Sequence, residues 1–136
     1  MAIAMVLLVL LLGSALLHAT RQQLAAALSL VADERRYLID YHQALSALAW
    51  GERLDWPPGS GWRCRQQTRF GWQACLLPLD NDEALLRGAA LAETQEALAL
   101  WQRLRRSGNG RWLPAAHGWL DFCPLSVAGD CTPDAR

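Results

Sequence analysis

Met1-Ala-Ile-Ala-Met-Val-Leu-Leu-Val-Leu-Leu-Leu-Gly-Ser-Ala-Leu-Leu17 carries no charge, and Ser14 is its most polar side chain. The first charged residue is Arg21, so all thirteen basic and thirteen acidic residues lie beyond this run. Such a segment is not an ordinary part of a small soluble fold. At about 1.5 Å per residue in a helix, it reaches most of the way across a hydrocarbon layer of about 30 Å. The sequence predicts an apolar stem over residues 1–20, an amphipathic helical half over 21–50, and a polar-surfaced head over 51–136.

From Met1 to Trp50 there is no proline and one glycine, Gly13. Leu and Ala dominate, with Arg, Gln and Glu in the polar part, all good helix formers. Leu24, Leu28, Val31, Tyr37 or Leu38, Tyr41, Leu45, Leu48 and Ala49 recur at spacings of three and four and draw one stripe. Arg21, Gln22, Asp33, Arg36, Asp40 and Gln43 take the other side. A continuous helix of this extent would be about 75 Å long, and a small head covers only part of its stripe. Isolated helices in water gain most of their stability from packing, so neighbouring subunits are expected over the rest. Gly51 is expected to end the helix in a left-handed cap. Asp55-Trp-Pro-Pro-Gly-Ser-Gly61 is irregular, punctuated by two prolines and two glycines.

No basic residue precedes the stem, so the positive-inside rule has no cytoplasmic flank to count. A basic n-region and a convincing Ala-x-Ala site are also lacking. The expectation is a leader that is missing or removed, and the alternative is a short uncleaved signal anchor.

The head is small, and domains of this size often need covalent help. Cys64, Cys75, Cys123 and Cys131 supply it, and an exported head makes disulfides the expected reading. Four cysteines permit three pairings; the sequential one, Cys64 with Cys75 and Cys123 with Cys131, is expected. Residues 61–66 and 71–79 read as strands about a turn at 67–70, which the first disulfide would clip. The run Asp80-Asn81-Asp82 limits the second strand. Composition favours a helix from Ala89 to Arg106, although Ser107-Gly-Asn-Gly110 contains an Asn-Gly pair that suits a tight hairpin, with 111–113 returning as a strand. His117-Gly-Trp-Leu-Asp-Phe-Cys-Pro-Leu125 is dense in large apolar side chains and is expected to dock on the sheet. Of the seven tryptophans, Trp50, Trp62, Trp72, Trp112 and Trp119 are expected in the core. Trp56 and Trp101 are equally readable as contacts for partners.

Catalytic signatures are lacking. His18, His42 and His117 are scattered, and there is no His-Glu-x-x-His, nucleophile elbow or phosphate loop. The cysteine spacings do not fit zinc. The acidic turn Asp80–Glu83 reads as solvated rather than as a calcium loop, which needs six or more oxygens. Balanced charge without a basic aromatic patch excludes nucleic acid as the expected partner. Neither an enzymatic activity nor a cofactor is expected.

The architecture, together with Ser46-Ala-Leu-Ala-Trp-Gly51, Asp82-Glu-Ala-Leu-Leu86 and Gly118-Trp-x-Asp121-Phe-Cys-Pro-Leu125 ending at Cys131, resembles the minor pilins and pseudopilins of type IV pili and type II secretion systems. The resemblance covers essentially the whole chain and is most specific in the tail. It implies an α+β, type IV pilin-like fold, with strands at 84–88 and 97–105 in place of the helix that composition favours. It further implies cleavage and methylation by prepilin peptidase, which would make Met1 the processed terminus. The expected location is the bacterial inner membrane, single-pass with a periplasmic head, and the pilus tip after assembly. Its implied partners are other minor pilins and the major pilin, met through Met1, Met5, Leu24, Leu28, Val31, Leu38, Tyr41 and Leu45 and through the head. Most pilins carry a glutamate at the fifth mature position, where this sequence has Met5, and no carboxylate precedes Asp33. That departure fits a subunit of the tip complex that primes assembly, since an unpaired carboxylate in lipid is costly. A secretion pseudopilin and a tethered periplasmic protein without a filament role are the alternatives.

Overall fold

A computed structural model describes residues 1–91 and 97–133. Helix α1 spans Ala2–Gly51, followed by strands β1 (Arg63–Gln67), β2 (Trp72–Pro78), β3 (Glu83–Ala90), β4 (Ala99–Arg106) and β5 (Trp112–Leu120), and a 3-10 turn at Ala128–Cys131. The strands form one five-stranded sheet in the order β1-β2-β3-β4-β5, antiparallel throughout. The chain divides into two compact units, Met1–Arg36 and Tyr37–Arg136. The first is helix alone, and its residues are exposed.

In the second unit the last turns of α1 pack on the sheet. Ala44, Ala47, Leu48 and Gly51 are the buried helix residues. Against them lie alternate residues of three strands: Ala74 and Leu76 of β2, Ala84 and Leu86 of β3, and Leu100 and Leu104 of β4. The period of two puts these side chains on one face. Each fully buried leucine contributes about 1.5–3 kcal/mol, and Leu76, Leu86, Leu100 and Leu104 are fully buried in this cluster. Tyr41, Leu45, Trp50, Trp56 and Trp112 seal its margin.

Small residues face the sheet on α1 because the two backbones approach closely. A Cβ at Gly88 would stand 2.6 Å from the Ala44 carbonyl oxygen. Gly51 plays the same part, and the left-handed cap expected there is not formed. It lies inside the helix without a positive φ, and a Cβ would meet that of Ala74 at 2.8 Å. The Trp56 indole N–H instead donates to the Gly51 carbonyl at 2.9 Å. Ala49, placed on the apolar stripe by its spacing, is exposed. The helix runs over the sheet on its small-residue edge.

The helix that composition favours over 89–106 is overturned. Glu83–Ala90 and Ala99–Arg106 are paired strands, while residues 92–96 fall outside the described residues. β3 is the central strand, and Ala84 to Ala89 are buried without interruption. A strand covered on both faces loses the alternation that marks it in sequence, and alanine and leucine then read as helix.

Cys64 and Cys75 are direct register partners on β1 and β2, joined by a disulfide with Cα atoms 4.0 Å apart. A second disulfide joins Cys123 to Cys131. The segment it closes lies against the sheet face turned away from α1. There the Trp62 indole donates to the Asp130 carbonyl at 2.8 Å, and Leu125 shares a cleft with Leu77 and Leu79. The tail docks through these residues and not through its largest ones, because Trp119 and Phe122 are 44% and 59% exposed. Trp119 is therefore no core anchor, whereas Trp56 belongs to the core margin. The whole is an α+β, pilin-like arrangement: a long apolar N-terminal helix whose end packs on an antiparallel sheet held by two disulfides.

Candidate functional site

The exposed apolar side chains of α1 are the main chemical feature of the chain. Met1, Met5, Leu24, Leu28 and Val31 are each at least 60% exposed, and Leu38 is 48% exposed. Tyr41 and Leu45 differ: both pack at the margin of the head core. Tyr41 also stacks on Tyr37, with ring centroids 6.2 Å apart. Leu30 and Ile39 are exposed as well, although the stripe drawn from spacing omitted both. Their offset from Val31 and Leu38 by one residue widens the apolar face, and only summing all apolar positions would have found them.

Three hydroxyls on this helix, those of Thr20, Ser29 and Ser46, donate back to its own carbonyls. Thr20 Oγ donates to the Leu17 carbonyl at 2.9 Å, and Ser29 Oγ to the Ala26 carbonyl at 2.8 Å. Back-bonding of this kind lets a hydroxyl lie in an apolar environment without an orphaned donor. Among the described residues α1 is the helix long and apolar enough to cross a membrane. Joined to a disulfide-bonded head, a feature of oxidising compartments, it makes the chain a single-pass, membrane-anchored structural protein with its head outside the cytoplasm.

At the exit of α1, Glu52 is partly buried, and desolvation pushes its carboxyl above the ordinary range, with neighbouring Arg53 pulling it back. The acidic turn between β2 and β3 closes through Leu79 N–H to the Glu83 carbonyl at 2.8 Å. Asn81 and Asp82 there adopt positive φ of 62° and 57°. Glu83 is 3.6 Å from Arg105 across the strands. No group of three or more His, Cys, Asp or Glu among the described residues is arranged to hold a metal.

β5 is one of the two edges of the sheet, and its irregularity is not among the expectations drawn from sequence. Gln102 pairs with Trp119 and Leu104 with Pro114, so residues 115–118 bulge opposite Arg103. The buried Gln102 amide stitches this bulge, donating to the carbonyls of Arg103 at 3.1 Å and Ala115 at 3.4 Å. His117 takes a positive φ of 56° within it. Pro114 and Gly118 were the available signal, since proline and glycine inside a strand mark edges and bulges. Bulges also protect an edge from indiscriminate pairing.

No curated protein and no solved structure matches the chain. A family model described as a protein of unknown function, DUF2509, matches residues 8–131. That span is nearly the whole sequence, and the chain belongs to the DUF2509 family.

Proposed function

We propose that this protein is a non-enzymatic minor pilin of a type IV pilus, acting in the tip complex that initiates filament assembly. The observation that carries the reading is the apolar surface of α1 from Met1 to Ile39, which is exposed among the described residues. In the membrane the stem, residues 1–20, is solvated by lipid. The positions after Arg21 have no such cover, and the helices of neighbouring subunits supply it. Leu24, Leu28, Val31 and Leu38 are the contacts to other minor pilins and the major pilin, with Tyr41 and Leu45 bracing the head at the margin of that surface.

Prepilin peptidase is the processing partner, and Met1 the residue it exposes and methylates. The lack of a carboxylate before Asp33 supports a place at the tip: no neighbour above is then needed to pair a buried charge. Co-purification from membranes with the other minor subunits, followed by mass determination of the amino terminus, tests the proposal. Association through α1 and a methylated Met1 are expected. Photocrosslinkers at positions 24 and 28 that capture no pilin-like subunit would remove the filament role and leave a tethered protein.

A further inference from the structure

Where the chain leaves α1, the loop carrying Trp56, Pro57 and Pro58 forms a pocket of about 150 Å³ with the end of the sheet at Trp112. Two arginines line it, Arg63 from β1 and Arg106 from the end of β4, opposed by the acid of Asp82. Among the described residues neither arginine is ion-paired. The Arg106 guanidinium lies over the Trp112 ring, 5.3 Å from its centroid, and is thereby held in the pocket wall.

Arg63 is the unusual member. Among the described residues its Nε and Nη1 are closed off from solvent and meet no hydrogen-bond acceptor. Gly59 passes directly above, for a Cβ there would stand 3.6 Å from Nη1. A charged donor removed from water without an acceptor is strongly unfavourable, and a buried unsatisfied group in a folded protein calls for an explanation. Asp82 does not provide it, although it lines the same pocket.

We infer that this pocket receives a single carboxylate, the Glu or Asp side chain of an extended segment on a partner protein. Guanidinium groups match the planar carboxylate, and the space accommodates a carboxylate with its methylenes but no nucleotide or sugar. Trp56, Pro57, Pro58 and Trp112 line the pocket and offer flat surfaces for the partner's backbone. The inference concerns the head alone and stands whether or not the partner is a filament subunit.

The full chain in detergent micelles, labelled with ¹⁵N-arginine, is titrated while the Arg63 Nε–H resonance is followed. The probes are a capped Gly-Glu-Gly peptide, sodium acetate and inorganic phosphate, each against sodium chloride of equal ionic strength. The peptide is expected to shift the resonance saturably and to bind about tenfold tighter than acetate, the margin set by its extra backbone contacts. For the Arg63 variants the Arg106 Nε–H resonance, from the same pocket, is followed instead, and Arg63→Gln should abolish its response. Arg106→Gln, followed at Arg63, should weaken binding severalfold, and Asp82→Asn, which removes a like charge from an exposed turn, should tighten it. Arg63→Lys, which keeps the charge, guards against a folding defect and should bind more weakly than the parent. A shift no larger than chloride gives, phosphate binding as tightly as the peptide, or weaker binding in Asp82→Asn would each overturn the proposal.

Discussion

Gly88 and Ala44 meet backbone to backbone: any Cβ on residue 88 would lie 2.6 Å from the Ala44 carbonyl oxygen and equally close to the Leu48 nitrogen. Neither obstacle is the end of a flexible side chain, so the helix itself would have to move. Gly88→Ala should therefore cost at least the 1–3 kcal/mol typical of overpacked cores. Gly13→Ala meets nothing within 4 Å and should leave stability unchanged or raise it slightly through helix propensity. Chemical denaturation of both variants in detergent, followed by tryptophan emission, checks the contrast. Equal midpoints would show that the helix does not sit this close.

The two disulfides act on different structure. Cys64–Cys75 ties together an edge strand already paired to its neighbour in register. Cys123–Cys131 closes the only segment that brings Asp130 to the Trp62 indole among the described residues. Replacing Cys123 and Cys131 by serine should lower stability by about 2–4 kcal/mol and release the tail while the sheet persists. Hydrogen exchange should then rise over residues 121–133 and on the outer sheet face, with β3 still protected. Uniform loss of protection would instead make this disulfide a support of the whole head.

The stem was legible because seventeen uncharged residues admit few readings, and the first hairpin because cysteines and glycines bracket it. The strands after Glu83 were not legible from composition. Leu85, Arg87 and Ala89 are covered on one face while Ala84, Leu86 and Gly88 meet the helix on the other, which removes the alternation that identifies a strand. Only resemblance to pilins placed strands there. The role of Gly51 is hidden for a related reason: a glycine after a helical run looks like a cap, and nothing local tells of Ala74 approaching from another element. Large apolar residues usually point inward, which is the reading that Trp119 and the apolar tail around Phe122 invite. Trp119 is exposed on an edge strand whose bulge has no clear periodic signature, and Phe122 is exposed just beyond its end. The pocket around Arg63 was invisible, since it joins residues from the loop, β1, β4 and β5.

The bulge of β5 stores strain at His117, whose φ of 56° is unfavourable for a residue with a Cβ. Substituting glycine relieves a left-handed cost of about 1–2 kcal/mol and concedes part of it to the freer unfolded chain. His117→Gly should raise the unfolding free energy by about 1 kcal/mol or less, and His117→Val should lower it by more than that. The ordering Gly, His, Val in denaturation midpoint is the measurement. If the three coincide, residue 117 does not hold a left-handed conformation.

Glu52 makes the head less stable at neutral pH than the same fold without the charge. Burial raises its carboxyl above the ordinary value of 4.5, and Arg53 only partly offsets this. The folded state therefore holds the proton more tightly than the unfolded chain, and its advantage is complete below pH 4.5 and lost as pH rises through the raised value. Glu52→Gln removes the ionisation, so this variant should be the more stable at pH 7, with the difference shrinking to nothing on acidification below that range. Solvent screens a side chain this exposed, which keeps the gain below about 1 kcal/mol. Arg53→Gln should move the other way, enlarging the loss at pH 7, because the Arg53 charge that favours the ionised carboxylate is gone. Parallel denaturation curves at pH 4 and pH 7 for the three proteins separate these effects; a Glu52→Gln gain that persists at pH 4 would show that packing, not desolvation of the charge, is its cause.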